Sequence, residues 1–104
     1  MYANSAGKPG ALLGVTGQLT FKSTQAAGWY PLKFASAVLV NAGTYWIGGI
    51  TGNSGKVAAE HYDTVANAED YNSNTYTSGP SNPFGSFKTT NEEMSLYAVL
   101  IGCC

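Results

Sequence analysis

The chain carries one histidine, His61, with Asp63 two positions further on. A histidine held by a carboxylate is the elementary form of an oriented general base. Nothing completes a catalytic set around this pair. No Gly-x-Ser-x-Gly elbow is present, and neither Cys103 nor Cys104 has a sequence-visible partner to activate it. Alternation along a strand puts His61 and Asp63 on one face for purely structural reasons. The expectation is a strand-end histidine in a chain that is not an enzyme.

The carboxylates are Glu60, Asp63, Glu69, Asp70, Glu92 and Glu93. Glycoside hydrolysis needs two of them about 5–9 Å apart across a cleft, and a domain this small has little room for a deep cleft. Asp70-Tyr71-Asn72-Ser73-Asn74-Thr75 places oxygen ligands at the Asp-x-Asn-x-Asn spacing that opens a calcium loop. Thr75 stands where the loop needs glycine, and Ser81 where it needs the bidentate glutamate, so an EF-hand is excluded. A looser calcium site built from Asp63, Glu69 and Asp70 remains compatible with the spacing. The alternative is an Asx-rich turn whose side chains satisfy their own backbone. Gly52-Asn53-Ser54-Gly55-Lys56 fails as a phosphate loop, because Ile50 replaces its first glycine and Val57 the magnesium-binding hydroxyl. It reads as a hairpin turn. No other cofactor is expected.

The aromatic residues are the best binding material. Trp29, Tyr71 and Tyr76 can stack on sugar C–H faces, and Asn72 and Asn74 can supply hydrogen bonds to hydroxyls. The rival reading folds Tyr71, Tyr76 and Phe84 down as a cluster that packs their own loop. Tyr45 and Trp46 are neighbours on a strand and must point to opposite faces.

Composition narrows the class of partner. The 104 residues suit a single domain. Hydrophobic residues make up 44%, close to an ordinary globular chain, whereas charged residues make up only 11% against about 25% in an average domain. All five basic residues are lysines, there is no arginine, and net charge is −1, so the basic footprint of nucleic-acid binding is missing. No apolar run approaches the roughly 20 residues of a membrane-spanning helix, so no membrane insertion is expected. Met1-Tyr2-Ala3-Asn4 has neither a basic nor an apolar leader region, so no signal peptide is expected in these residues. Adjacent cysteines such as Cys103 and Cys104 rarely bridge each other. They offer an intermolecular disulfide or a soft-metal pair, or they form a reducible tail.

These residues need elements to hold them, and short β-prone runs between Gly, Asn, Ser and Thr clusters point to strands and tight turns. Strands are expected over Leu12–Phe21, Trp29–Phe34 (at an edge or with a bulge, because of Pro31), Val38–Val40, Thr44–Thr51, Lys56–Tyr62 and Met94–Ile101. The last should be central, and the fourth and fifth should form a hairpin. Residues 63–93 read as a long irregular loop punctuated by Gly79-Pro80 and Asn82-Pro83. The fold class is all-β, an antiparallel two-sheet sandwich occupying residues 1–104 as one domain.

Several segments in order carry a resemblance: Gly7-Lys8-Pro9-Gly10, Ala42 to Gly48 (AGTYWIG), Tyr71-Asn72, Ser78 to Gly85 (SGPSNPFG) and Met94 to Ala98 (MSLYA). Together they resemble a jelly-roll-like β-sandwich module of bacterial exported multidomain proteins. The resemblance implies a non-catalytic carbohydrate-binding or adhesion module, secreted or at the cell surface as part of a longer protein. Such modules carry one or more strands ahead of the segment matching Met1-Tyr2-Ala3, which this chain lacks. An uncovered edge or face is therefore expected, and with it a homo-oligomer. The alternative is a structural module that associates with itself and takes no small ligand.

Overall fold

The computed structural model describes residues 1–52 and 59–102. The expected turn at Gly52–Lys56 after its first residue, the start of the expected Lys56–Tyr62 strand and both cysteines lie outside the described residues; of the rest of that strand, only Tyr62 lies in a strand. Among the described residues, five strands and one short 3-10 turn make up the regular structure: β1 (Tyr2–Ser5), β2 (Lys8–Leu12), β3 (Tyr45–Trp46), β4 (Tyr62–Tyr71), the turn Tyr76–Ser78, and β5 (Lys88–Met94). They form two antiparallel sheets, one ordered β2-β1-β3 and the other β4-β5. The all-β, two-sheet, sandwich-like expectation holds.

A two-residue turn at Ala6-Gly7 joins β1 to β2, and both residues take positive φ, 52° and 80°. That backbone twist matches the right-handed twist of the flanking strands. In β2, Gly10 and Ala11 together face Ala3, which makes a bulge between the Tyr2–Leu12 and Asn4–Pro9 pairs. Gly10 is required there, since a Cβ would lie 2.9 Å from the Ser5 Cβ. Pro9 sits at the outer strand of the sheet, where its missing N–H costs no ladder bond.

The segment after the 3-10 turn covers that outer strand. Phe84 N donates to Gly10 O at 2.9 Å, and Leu12 N donates to Asn82 Oδ1 at 3.0 Å. Tyr2, 7% exposed, meets Phe84 edge-on with ring centroids 5.1 Å apart, and its hydroxyl donates to Ser81 O at 2.9 Å. Phe84 in turn touches Phe87, 6.2 Å between centroids. This aromatic cluster, with buried Pro9, is the centre of the fold.

Several expectations need correcting. Residues 63–93 are not one irregular loop: β4 and β5 occupy both ends, leaving only residues 72–87 outside strands. The β4-β5 ladder is polar, with Thr89 Oγ1 donating to Asp70 Oδ1 at 2.7 Å and Thr90 Oγ1 to Glu69 Oε2 at 3.2 Å, so no apolar alternation announces it. Conversely, Met94–Ile101 is not a central strand. Only Met94 belongs to β5, and Leu96, Tyr97, Val99, Leu100 and Ile101 are exposed. Among the described residues, its backbone pairing ends with Ser95 N to His61 O and Leu96 N to Met94 O. Thr44–Thr51 likewise contracts to the two residues that pair with β1. The Leu12–Phe21 and Trp29–Phe34 segments are not strands: they meet through the Thr16–Phe34 bridge with its flanking bonds and through the Phe21 and Tyr30 rings, edge-on at 5.3 Å.

Tyr2→Phe is expected to destabilise the chain by about 1–3 kcal/mol, because the half-buried Ser81 carbonyl loses its donor while the ring stays packed. Urea unfolding of the two proteins measures it, and equal midpoints would remove Tyr2 from this role.

Candidate functional site

The sequence-nominated binding residues do not form one site. Trp29 is 65% exposed, and the ring it meets is Tyr97, edge-on at 4.9 Å. Tyr71 ends β4, and Tyr76 begins the 3-10 turn, both partly exposed. Asn72 and Asn74 hold the loop between them. Asn72 Nδ2 donates to Ser81 Oγ at 2.9 Å and to Phe84 O at 2.8 Å. Asn74 Nδ2 donates to Gly79 O at 2.6 Å, while its Oδ1 accepts from Thr75 N at 2.9 Å. Their amide hydrogens are engaged in shaping residues 72–85, which is the Asx-turn reading of this segment. Phe84, packed on Tyr2, belongs to the loop-cluster reading.

The proposed calcium ligands are also kept apart by register. Asp63 faces Glu93, while Glu69 and Asp70 face Thr90 and Thr89. Three partner positions between the first two span about 10 Å along a strand, whereas two ligands of one calcium ion lie within about 5 Å of each other. Among the described residues, no group of three or more His, Cys, Asp or Glu side chains is placed to hold a metal ion. The same residues contain no helix long and apolar enough to cross a membrane.

What the fold does bring together is a shallow, solvent-open cleft of about 250 Å3 between the two sheets, lined by Gly7, Lys8, Trp46, Asn67, Asp70, Phe87 and Thr89. Trp46 reaches it from β3, and its indole N–H is committed to Asn4 Oδ1 at 3.0 Å. Asp70 reaches it from β4, fixed by the Thr89 hydroxyl. Asn67 lies on a wide bulge where four β4 residues, 65–68, face the single residue Asn91. It adopts φ 55°, and its N–H donates to Asn91 Oδ1 at 3.0 Å, so a side chain replaces the missing ladder partner. Bulges of this kind re-aim side chains at the rims of sites.

A second groove of about 300 Å3 lies on the far side of β3 and is mostly apolar: Met1, Val40, Ala42, Tyr45, Ile47 and Leu100 are among its walls. Tyr45 and Trp46 thus point to opposite faces, as alternation demands, and each lines a different depression. The sequence marked Trp46 as aromatic and Asp70 as a carboxylate. Their convergence depends on the placement of two separate sheets, which no local pattern encodes.

His61 contributes its carbonyl to Ser95 N beside the start of β4. Glu60, exposed overall, has a carboxyl whose pKa is raised by partial desolvation and then by the charge of Glu69.

No protein-family model, curated protein or solved structure matches the chain.

Two measurements follow from this electrostatic layout. A folded pKa held above the unfolded value means that ionised Glu60 opposes folding. That penalty is absent below the ordinary value of 4.5 and appears as pH rises through the folded value. Glu60→Gln should therefore raise the melting temperature slightly at neutral pH, by a ΔΔG within about 0.5 kcal/mol, and the gain should vanish in acid. A gain that persists in acid would assign the effect to something other than charge. Because the carboxylates do not converge, the melting temperature should be the same in millimolar calcium and in chelator. A rise with calcium would restore the metal reading, since a ligand of the native state stabilises it.

Proposed function

We propose that this chain is a non-catalytic β-module whose task is association, and that the partner is a second copy of itself. The observation that carries the reading is the scarcity of buried apolar surface. Among the described large hydrophobic side chains Tyr2 alone is buried, while seventeen are exposed, including Leu39 at 82%, Val99 at 78% and Ile101 at 93%. The chain exposes 8293 Å2, whereas a compact monomer of 10.9 kDa exposes about 5,600 Å2. The excess, about 2,700 Å2, is several times the roughly 800 Å2 that each partner contributes to a standard interface.

Two features favour a like partner. A net charge of −1 leaves copies with little mutual repulsion. Among the described residues, the β-prone segment 97–101 makes no ladder bond, and a strand alongside would extend the β4-β5 pairing that stops at Ser95. It runs beside the apolar groove that Leu100 helps to line, so an identical segment would bring both backbone partners and apolar area.

A second reading, a carbohydrate-binding or adhesion module of a bacterial exported protein, is supported by the resemblance of the Gly-rich aromatic segments. It is supported too by the cleft in which Trp46, Asp70 and Lys8 meet. The two readings are compatible, because the cleft and the apolar groove lie on opposite faces of β3.

Light scattering coupled to size exclusion is expected to give a dimer or larger closed oligomer at micromolar concentration. Leu100→Glu should shift that species toward monomer by introducing an unpaired charge at the groove. A folded monomer at high concentration, judged by near-ultraviolet circular dichroism, would overturn the self-association reading.

A further inference from the structure

We propose that the cleft between the two sheets binds a single neutral hexose unit, stacked on Trp46 and held through its hydroxyls by Asp70 and Lys8. The inference rests on the carbohydrate reading and gives it a site different from the one that Trp29 and Tyr76 offer.

Five observations carry it. The cleft is small, about 250 Å3 against the roughly 300–1,000 Å3 of enclosed sites for larger organic ligands, and shallow, so it offers one sugar ring a surface to lie on. Trp46 is half-buried with its only donor engaged by Asn4, so the ring is fixed in orientation and has a face, rather than an N–H, to give. A flat aromatic face with no free donor is complementary to the C–H face of a pyranose. Asp70 is half-buried and oriented through the Thr89 hydroxyl on Oδ1, which leaves Oδ2 and the remaining lone pairs for ligand donors. A carboxylate accepting from hydroxyls forms the short, charge-assisted bonds that give small polar ligands their orientation.

Lys8 supplies the opposite character from the facing sheet, an ammonium that donates to hydroxyl oxygens. It follows directly on Gly7, and the open space around Gly7 keeps the rim of the cleft low. Asn67 completes the polar wall from a left-handed position that few residue types tolerate. The Asn91 side chain accepts from its N–H and so fixes the bulge at the rim of the cleft. One anion and one cation face each other across the cleft, which disfavours a strongly charged ligand of either sign and favours a neutral one with donors and acceptors alternating around a ring.

The test is fluorescence titration of the full chain in a Trp29→Phe background, so that Trp46 alone reports. The probes are the methyl glycosides of glucose, galactose, mannose and N-acetylglucosamine, with the purified protein also applied to a glycan array. Saturable quenching or enhancement by at least one glycoside is expected. Asp70→Asn should weaken it at least about tenfold while leaving the melting temperature nearly unchanged. Lys8→Met, at an exposed hairpin position, should weaken it independently. Binding that survives both substitutions unchanged would overturn the cleft and place the sugar elsewhere on the chain, while array binding by the unsubstituted chain that is lost in the Trp29→Phe protein would return the carbohydrate reading to Trp29. No response to any glycoside, together with a blank array, would overturn the cleft and the carbohydrate reading together.

Discussion

The edge-on contact between Tyr2 and Phe84 is the interaction on which the rest of the structure depends. It is the point where the first strand, the loop that follows β4 and the outer edge of β2 are tied together by apolar contact and hydrogen bonding at once. Elsewhere the chain is held mainly by ladders and by polar side chains capping backbone. A domain of about a hundred residues has little core to spare, and this one concentrates what it has around a single ring. That economy explains why the polar loop is so heavily cross-bonded. Asn72, Asn74, Ser81 and Asn82 all fix the path of the segment that must deliver Phe84 to Tyr2.

Low charge has a structural counterpart. Where a typical surface sheet would pair lysine with glutamate across strands, β4 and β5 pair threonine hydroxyls with Glu69 and Asp70. Cross-strand pairs of this kind contribute on the order of 0.2–1 kcal/mol each and, unlike ion pairs, lose little to salt. The same choice leaves a surface of hydroxyls, amides and aromatic rings that presents no strong field to a partner. Such a surface selects by shape and by hydrogen-bond pattern. A like chain or a neutral polyol meets that demand better than a polyanion does.

The strand-and-turn character of the chain was legible from its punctuation, and the opposed directions of Tyr45 and Trp46 followed from alternation alone. The locations of several strands were not. Met94–Ile101 has the composition of a buried strand, but a strand needs a partner as well as a composition, and the described chain provides one only as far as Ser95. Tyr62–Tyr71 has the opposite problem: its acids, asparagine and alanines read as loop, yet β5 lies alongside and satisfies its backbone. Asn91 shows how far the result depends on pairing, since one amide side chain sustains a bulge that no residue within β4 announces. The candidate cleft was illegible for the same reason. Its components were each visible as an aromatic, a carboxylate or a lysine, and only the placement of two sheets joins them.

The separation of Tyr2 from Ser81 by 79 positions has a consequence during biosynthesis. The β1–β2 hairpin can close within about 1–10 μs of emerging from the ribosome. At about 5–20 residues per second, its partner loop arrives some 4–16 s later. For that interval the nascent hairpin displays Tyr2 and Pro9 bare, and a chaperone has far longer to engage them than the hairpin takes to form.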